Sequence, residues 1–228
     1  MVQLPQAAPG PDTMPVMTAT VKARPWTMLT LITLAYAVGF SVVWGGAHWL
    51  TEQHAERWPL YFDWEAQLPF QAWALPLYFS MDVVVMIAPF LFTRWQPAAA
   101  LMSLFFIQLC IAAPSFVVVP IEPGFINDMP TGVWGAWLFE PLGLHNMSQY
   151  NHTPSLHVTY ALTLAVGLKH VCSPWVRWPW AIAVCCTTLL VHEHHLICIG
   201  GGLLLFAVTI WMRPRLEQWF TARQMAGS

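Results

Sequence analysis

The chain has 228 residues, 57% of them hydrophobic and only 9% charged, with a formal net charge of -2. A soluble domain has roughly a quarter of its residues charged, so a single water-exposed globule is excluded. Nucleic-acid binding is excluded as well, because no basic stripe is present to neutralise phosphates.

The first 24 residues are rich in proline, small residues and methionine and lack a periodic apolar face, which predicts a disordered cytoplasmic tail. No short apolar core ending in a small-residue cleavage site lies in that tail, so the first span is expected to act as its own targeting signal. Six apolar blocks of membrane-crossing length follow, near residues 26–47, 72–92, 98–119, 155–171, 174–191 and 195–212. The prediction is all-α: a polytopic membrane protein built as a six-transmembrane-helix bundle over 25–213, closed by a cytoplasmic tail at 214–228. Between the third and fourth spans, Val133-Trp134-Gly135-Ala136-Trp137-Leu138-Phe139 reads equally as an interfacial segment or as aromatic packing on the outer helix ends.

Basic residues set the orientation. Lys22, Arg24, Arg94, Lys169, Arg177, Arg213, Arg215 and Arg223 fall on one side of alternating spans, and only Arg57 falls on the other. The positive-inside rule then places both termini in the cytoplasm. Eight of the nine histidines fall on the outer side, together with Glu52, Glu56, Asp63, Glu65, Glu122, Asp128, Glu140 and Glu193. The five cysteines lie in or beside apolar runs with no C-x-x-C spacing, so neither a disulfide framework nor a zinc ribbon is expected.

Two outward histidine clusters carry the chemistry. The first is Asn151-His152-Thr153-Pro154-Ser155-Leu156-His157. Thr153 suits an N-cap and Pro154 the first helical position, so the fourth span is expected to open with free N–H groups facing outward. A helix start of this kind attracts anions, Ser155 adds a donor, and His157 stands within the first turn. The second cluster is His192-Glu193-His194-His195, with Cys198 one helical turn beyond His194. Asp82 lies inside the second span, where a carboxylate is costly and marks function, a position near a helix end, or a group neutralised by protonation.

Pro154, Ser155 and His157 match a P-S-x-H motif, and His194 opens an H-x-x-x-D motif in which Cys198 replaces the aspartate. With Leu190-Val191-His192-Glu193-His194, and with Asp63, Leu68-Pro69-Phe70 and Tyr78 upstream, the chain resembles the type 2 phosphatidic acid phosphatase superfamily. It is most similar to the inositol phosphorylceramide synthase and sphingomyelin synthase branches, over roughly residues 60–210.

That resemblance implies a lipid phosphatase or phosphoalcohol transferase working at the outer leaflet through a phosphohistidine, with a lipid phosphate or phospholipid as substrate and no cofactor or metal. His194 is the implied nucleophile and His157 the implied acid for the leaving alkoxide. The orienting role falls on Cys198, a poor acceptor, with Glu193 or Asp63 as substitute carboxylates. Asn151, Ser155 and Glu193 are expected to touch substrate. The basic first motif is missing and Thr188 stands where the third motif has arginine, which favours a singly charged phosphodiester over a phosphomonoester.

Two other readings compete. His152, His192, Glu193, His194, His195 and Asp63 offer ligands to a metal, without the H-E-x-x-H spacing of zinc hydrolases. The loss of aspartate at Cys198 suits a non-catalytic lipid binder.

Overall fold

The computed structural model describes residues 23–125 and 152–226. Over these residues the chain is all-helical, with no strand beyond one bridge pair, Trp58 with Ile121. The helices are α1 (Trp26–Glu52), α2 (Leu75–Ile87), α3 (Trp95–Val118), α4 (Leu156–Gly167), α5 (Pro174–Leu190), α6 (Leu196–Thr209) and α7 (Met212–Ala226). Short 3-10 turns at Ala72–Ala74 and Ala88–Leu91 flank α2. Asn151, the aromatic piece 133–139 and residues 1–22 lie outside the described residues.

Three helical stretches are long and apolar enough to cross a bilayer: Trp26–Glu52, Ala72–Leu91 and Trp95–Val118. A fourth exists if α6 and α7, bent by 44°, count as one span. Six crossings were expected, and the shortfall lies in the C-terminal half. At 1.5 Å per residue, the 12 residues of α4 reach about 18 Å and the 17 of α5 about 25 Å, against a hydrocarbon core of about 30 Å. Within the expected tail, 214–226 is helical and forms most of α7.

Burial explains this layout. α3 is central, with Leu101, Leu104, Phe105, Leu109, Ala112 and Phe116 essentially covered. α1 packs along α3, while α4 is enclosed by α3, α5 and α6. The outer face of α1 leaves Leu31, Leu34, Val38 and Val42 exposed, with Val42 at 68%. A continuous apolar face of this kind is tolerated against lipid and is unfavourable in water. Inside, the Gln108 amide donates to the hydroxyls of Thr163 and Thr209, both at 2.9 Å, tying α3 to α4 and α6. The α4–α6 contact is close: a Cβ added at Gly202 would stand 2.6 Å from the Ser155 carbonyl oxygen. The Thr159 hydroxyl uses that closeness to donate to the Gly202 carbonyl at 3.0 Å.

The contacts also sort the helix ends. Arg177 at the start of α5 donates to Ala165 O, and Arg213 at the start of α7 donates to Gly167 O at 3.2 Å. Both guanidiniums cap the C-terminal carbonyls of α4, where positive charge is favoured. Trp26 stacks on Phe90, and Trp95 meets Phe220 edge-on. The starts of α1, α3 and α5 and the whole of α7 therefore gather at the end of the bundle opposite the start of α4.

Candidate functional site

The α5–α6 connection is shaped by a helix stop. His192 N–H donates to Leu189 O at 3.2 Å and Glu193 N–H to Thr188 O at 3.1 Å. With His192 at φ 59 this is a Schellman stop, the left-handed residue being a histidine where glycine is usual. The left-handed backbone is strained for a residue with a Cβ. It is held by the ring, whose Nε2 lies 2.9 Å from Leu68 O and which stacks on Phe125 at 4.4 Å. The next residue but one, His194, is thereby turned inward; its N–H bonds Thr188 O at 3.0 Å.

The fourth helix starts later than the sequence suggests. Ser155, not Thr153, is the N-cap, its Oγ accepting from Val158 N–H at 3.4 Å. Ser155 is fully buried, and its own N–H donates to Cys198 O at 3.0 Å. The Ser155 hydroxyl oxygen thus accepts from its own helix, and the residue's backbone is docked on α6. His157 follows in the first turn of α4.

The two key histidines meet. The His157 and His194 ring centroids are 5.9 Å apart, from segments 37 positions apart in sequence (194 less 157), and His152 stands 6.0 Å from His194 edge-on. His157 lies flat on Tyr78, centroids 4.0 Å apart, with the Tyr78 hydroxyl 3.2 Å from Nδ1. Its Nε2 is 3.6 Å from the Asp82 carboxylate. Tyr78 and Asp82 are four apart on α2 and so share a face. The carboxylate flagged inside the second apolar run thus faces the cluster, and so does the tyrosine of the upstream match. Burial, reinforced by the His157 and His152 rings, holds the His194 imidazole well below the ordinary histidine range. Burial likewise pushes the Glu193 carboxyl up to about 7; His157 opposes that rise and Asp82 adds to it.

Other expectations shift. Asp63 is exposed, and the covered carboxylate of that loop is Glu65, which pairs with His195 rather than His194. His195 Nδ1 is 2.8 Å from Glu65 Oε2, both side chains are fully covered, and Nε2 lies 2.5 Å from Pro123 O. Tyr61 and Phe125 stack on the His195 ring at 4.7 and 4.2 Å. The expected spacing of Cys198 one helical turn beyond His194 is not kept. α6 begins only at Leu196, so 194 and 198 are not successive turns of one helix. Cys198 is fully buried, and its N–H donates to His195 O at 3.0 Å. Among the described residues His194 Nδ1 has no hydrogen-bond partner. Also among the described residues, no group of three or more His, Cys, Asp or Glu is arranged to hold a metal ion.

The signal for the Glu65–His195 pair was weak, because 130 residues separate the partners. The i, i+4 spacing of Tyr78 and Asp82 on an apolar helix was the stronger cue. No protein-family model, no curated protein and no solved structure matches the chain.

Proposed function

We propose that this protein is a membrane-embedded lipid phosphatase or phosphoalcohol transferase that works by phosphohistidine chemistry. The observation that carries the reading is the meeting of His157 and His194 at 5.9 Å between ring centroids. A neutral imidazole is the nucleophilic form, and burial favours that form at His194. His194 attacks phosphorus, the bond from phosphorus to the leaving alkoxide breaks, and His157 Nε2 gives that oxygen its proton. Tyr78 holds Nδ1 of the same ring, and Asp82 offsets its positive charge. Water or a lipid alcohol then attacks the phosphohistidine, passing its proton to His157 as the N–P bond breaks. Glu193 stands beside the reacting groups, and Ser155 acts by docking the start of α4 on α6.

In this proposal α4, α5 and α6 complete six crossings, with the histidine cluster on the outer side and the basic end in the cytoplasm. Short helices suit that arrangement where they are enclosed by protein, as α4 is. The segregation of basic residues at the opposite end supports the orientation. The missing first-motif cations keep a phosphodiester as the favoured substrate class.

The test is turnover by the purified full chain on a panel of labelled phospholipids, with and without chelator. Chelator-resistant release of a headgroup, lost by about three orders of magnitude in His194→Ala, is expected. Unchanged turnover in that variant sinks the proposal. A chain that binds these lipids without turning any over is a lipid binder instead.

A further inference from the structure

α7 presents a repeating pattern that the proposed chemistry does not use. Arg215, Trp219 and Arg223 follow one another at intervals of four and share one side of α7, and Trp211 stands in the turn just before the helix, four residues ahead of Arg215. All four are exposed, Trp211 at 54% and Trp219 at 48%. Each arginine lies over the preceding tryptophan, with Cζ 4.2 Å from the ring centroid in both pairs. The opposite side of α7 is occupied: Phe220 meets Trp95, Gln224 bonds Gln96, and Arg213 caps α4. The one acid of α7, Glu217, is half-buried and away from the ladder.

The composition of this face selects its surroundings. Water alone gives no reason for two large indoles to stay uncovered, and hydrocarbon rejects two guanidiniums. The boundary between them accepts both, with the indole body in the acyl edge and the charge among headgroups. The same pairing recurs at this end of the bundle, where Arg24 lies 5.5 Å over Trp26 and Arg177 5.8 Å over Trp178. A guanidinium stacked on an indole keeps its in-plane donors free for a phosphate fork. Two cations with no acid on the face complement anionic headgroups rather than zwitterionic ones.

We propose that the surface formed by Trp211, at the turn into α7, and by Arg215, Trp219 and Arg223 of α7 binds anionic phospholipid headgroups of the membrane in which the apolar helices sit. It is separate from the histidine cluster and does not depend on the chemistry assigned there.

Hydrogen exchange of the α7 amides tests it, with the full chain in nanodiscs of phosphatidylcholine alone or mixed with phosphatidylglycerol. Exchange in α7 should slow several-fold in the anionic discs while α3 is unchanged. R215Q/R223Q should abolish the difference, and R215K/R223K should retain most of it, because the charge is kept. Two charges at this depth correspond to about a thirtyfold preference for anionic lipid. Equal α7 exchange in both lipids overturns the proposal. So does protection that follows protein concentration instead of lipid charge, since a second copy would then cover the face.

Discussion

Asp82 illustrates what one residue contributes. A carboxylate at a bilayer centre costs a few kcal/mol, and Asp82, on a helix of span length, stands 3.6 Å from His157 Nε2. If it supports the ring that protonates the leaving oxygen, its removal matters only when the leaving group needs a proton. Asp82→Asn is predicted to slow first-turnover release from an alkyl phosphodiester by about a hundredfold. Release from a nitrophenyl ester, whose leaving group needs no acid, should be nearly unchanged. Equal slowing of both would assign Asp82 to folding. Glu193 makes a pH prediction. Its carboxyl is raised in the folded protein to about 7, so between its ordinary value and 7 the folded state holds a proton that the unfolded state has lost. Its contribution therefore falls as pH rises through that window. Glu193→Gln should raise the melting temperature more at pH 8 than at pH 5; an equal gain at both would contradict this.

At the scale of elements, the loops at the histidine end are bound by a clamp. Glu65 and His195 join the α1–α2 connection to the start of α6, and Glu65 also accepts Leu196 N–H at 3.2 Å. Trp58 N–H donates to Pro120 O at 2.8 Å, and Glu122 N–H to Trp58 O at 3.0 Å, adding the chain after α3. Gly124, at φ 66 with its missing Cβ against the Tyr61 ring, allows Phe125 to reach His195. Removing one partner of a buried pair leaves the other uncompensated, so Glu65→Ala should cost about 3–5 kcal/mol in denaturant unfolding. A loss under about 1 kcal/mol would show that the clamp bears little weight.

The helix ends also show what the sequence could reveal. Long apolar runs made α1 and α3 plain, and Ser173-Pro174 marks the start of α5, where Ser173 Oγ accepts from Trp175 N–H at 3.4 Å. Local pattern did not reveal that His192 would enter the left-handed region, because glycine is the usual signal there. That one turn takes His194 off α6 and breaks the expected His194–Cys198 register. The cap at Ser155 was missed for a related reason: its position is set by the docking of Ser155 N–H on Cys198 O, a contact between elements remote in sequence.

Across the whole molecule, two ends carry opposite chemistry. The basic residues of α5 and α7 cap α4 at one end, and histidines and carboxylates, the covered Glu65 among them, fill the other. Composition and charge order made that polarity legible, because they depend on sequence order alone. Which histidine meets which carboxylate was not legible, since Glu65 pairing with His195, and Asp82 with His157, depends on how helices pack. The central claim is that His157 and His194 serve one phosphorus. Its most direct measurement is mapping an acid-labile phosphoryl group trapped on the full chain during turnover of a labelled phospholipid. The account predicts the label on His194, absent in His194→Ala. Turnover with the label on another residue, or with no protein-bound phosphate under rapid quench, would contradict it.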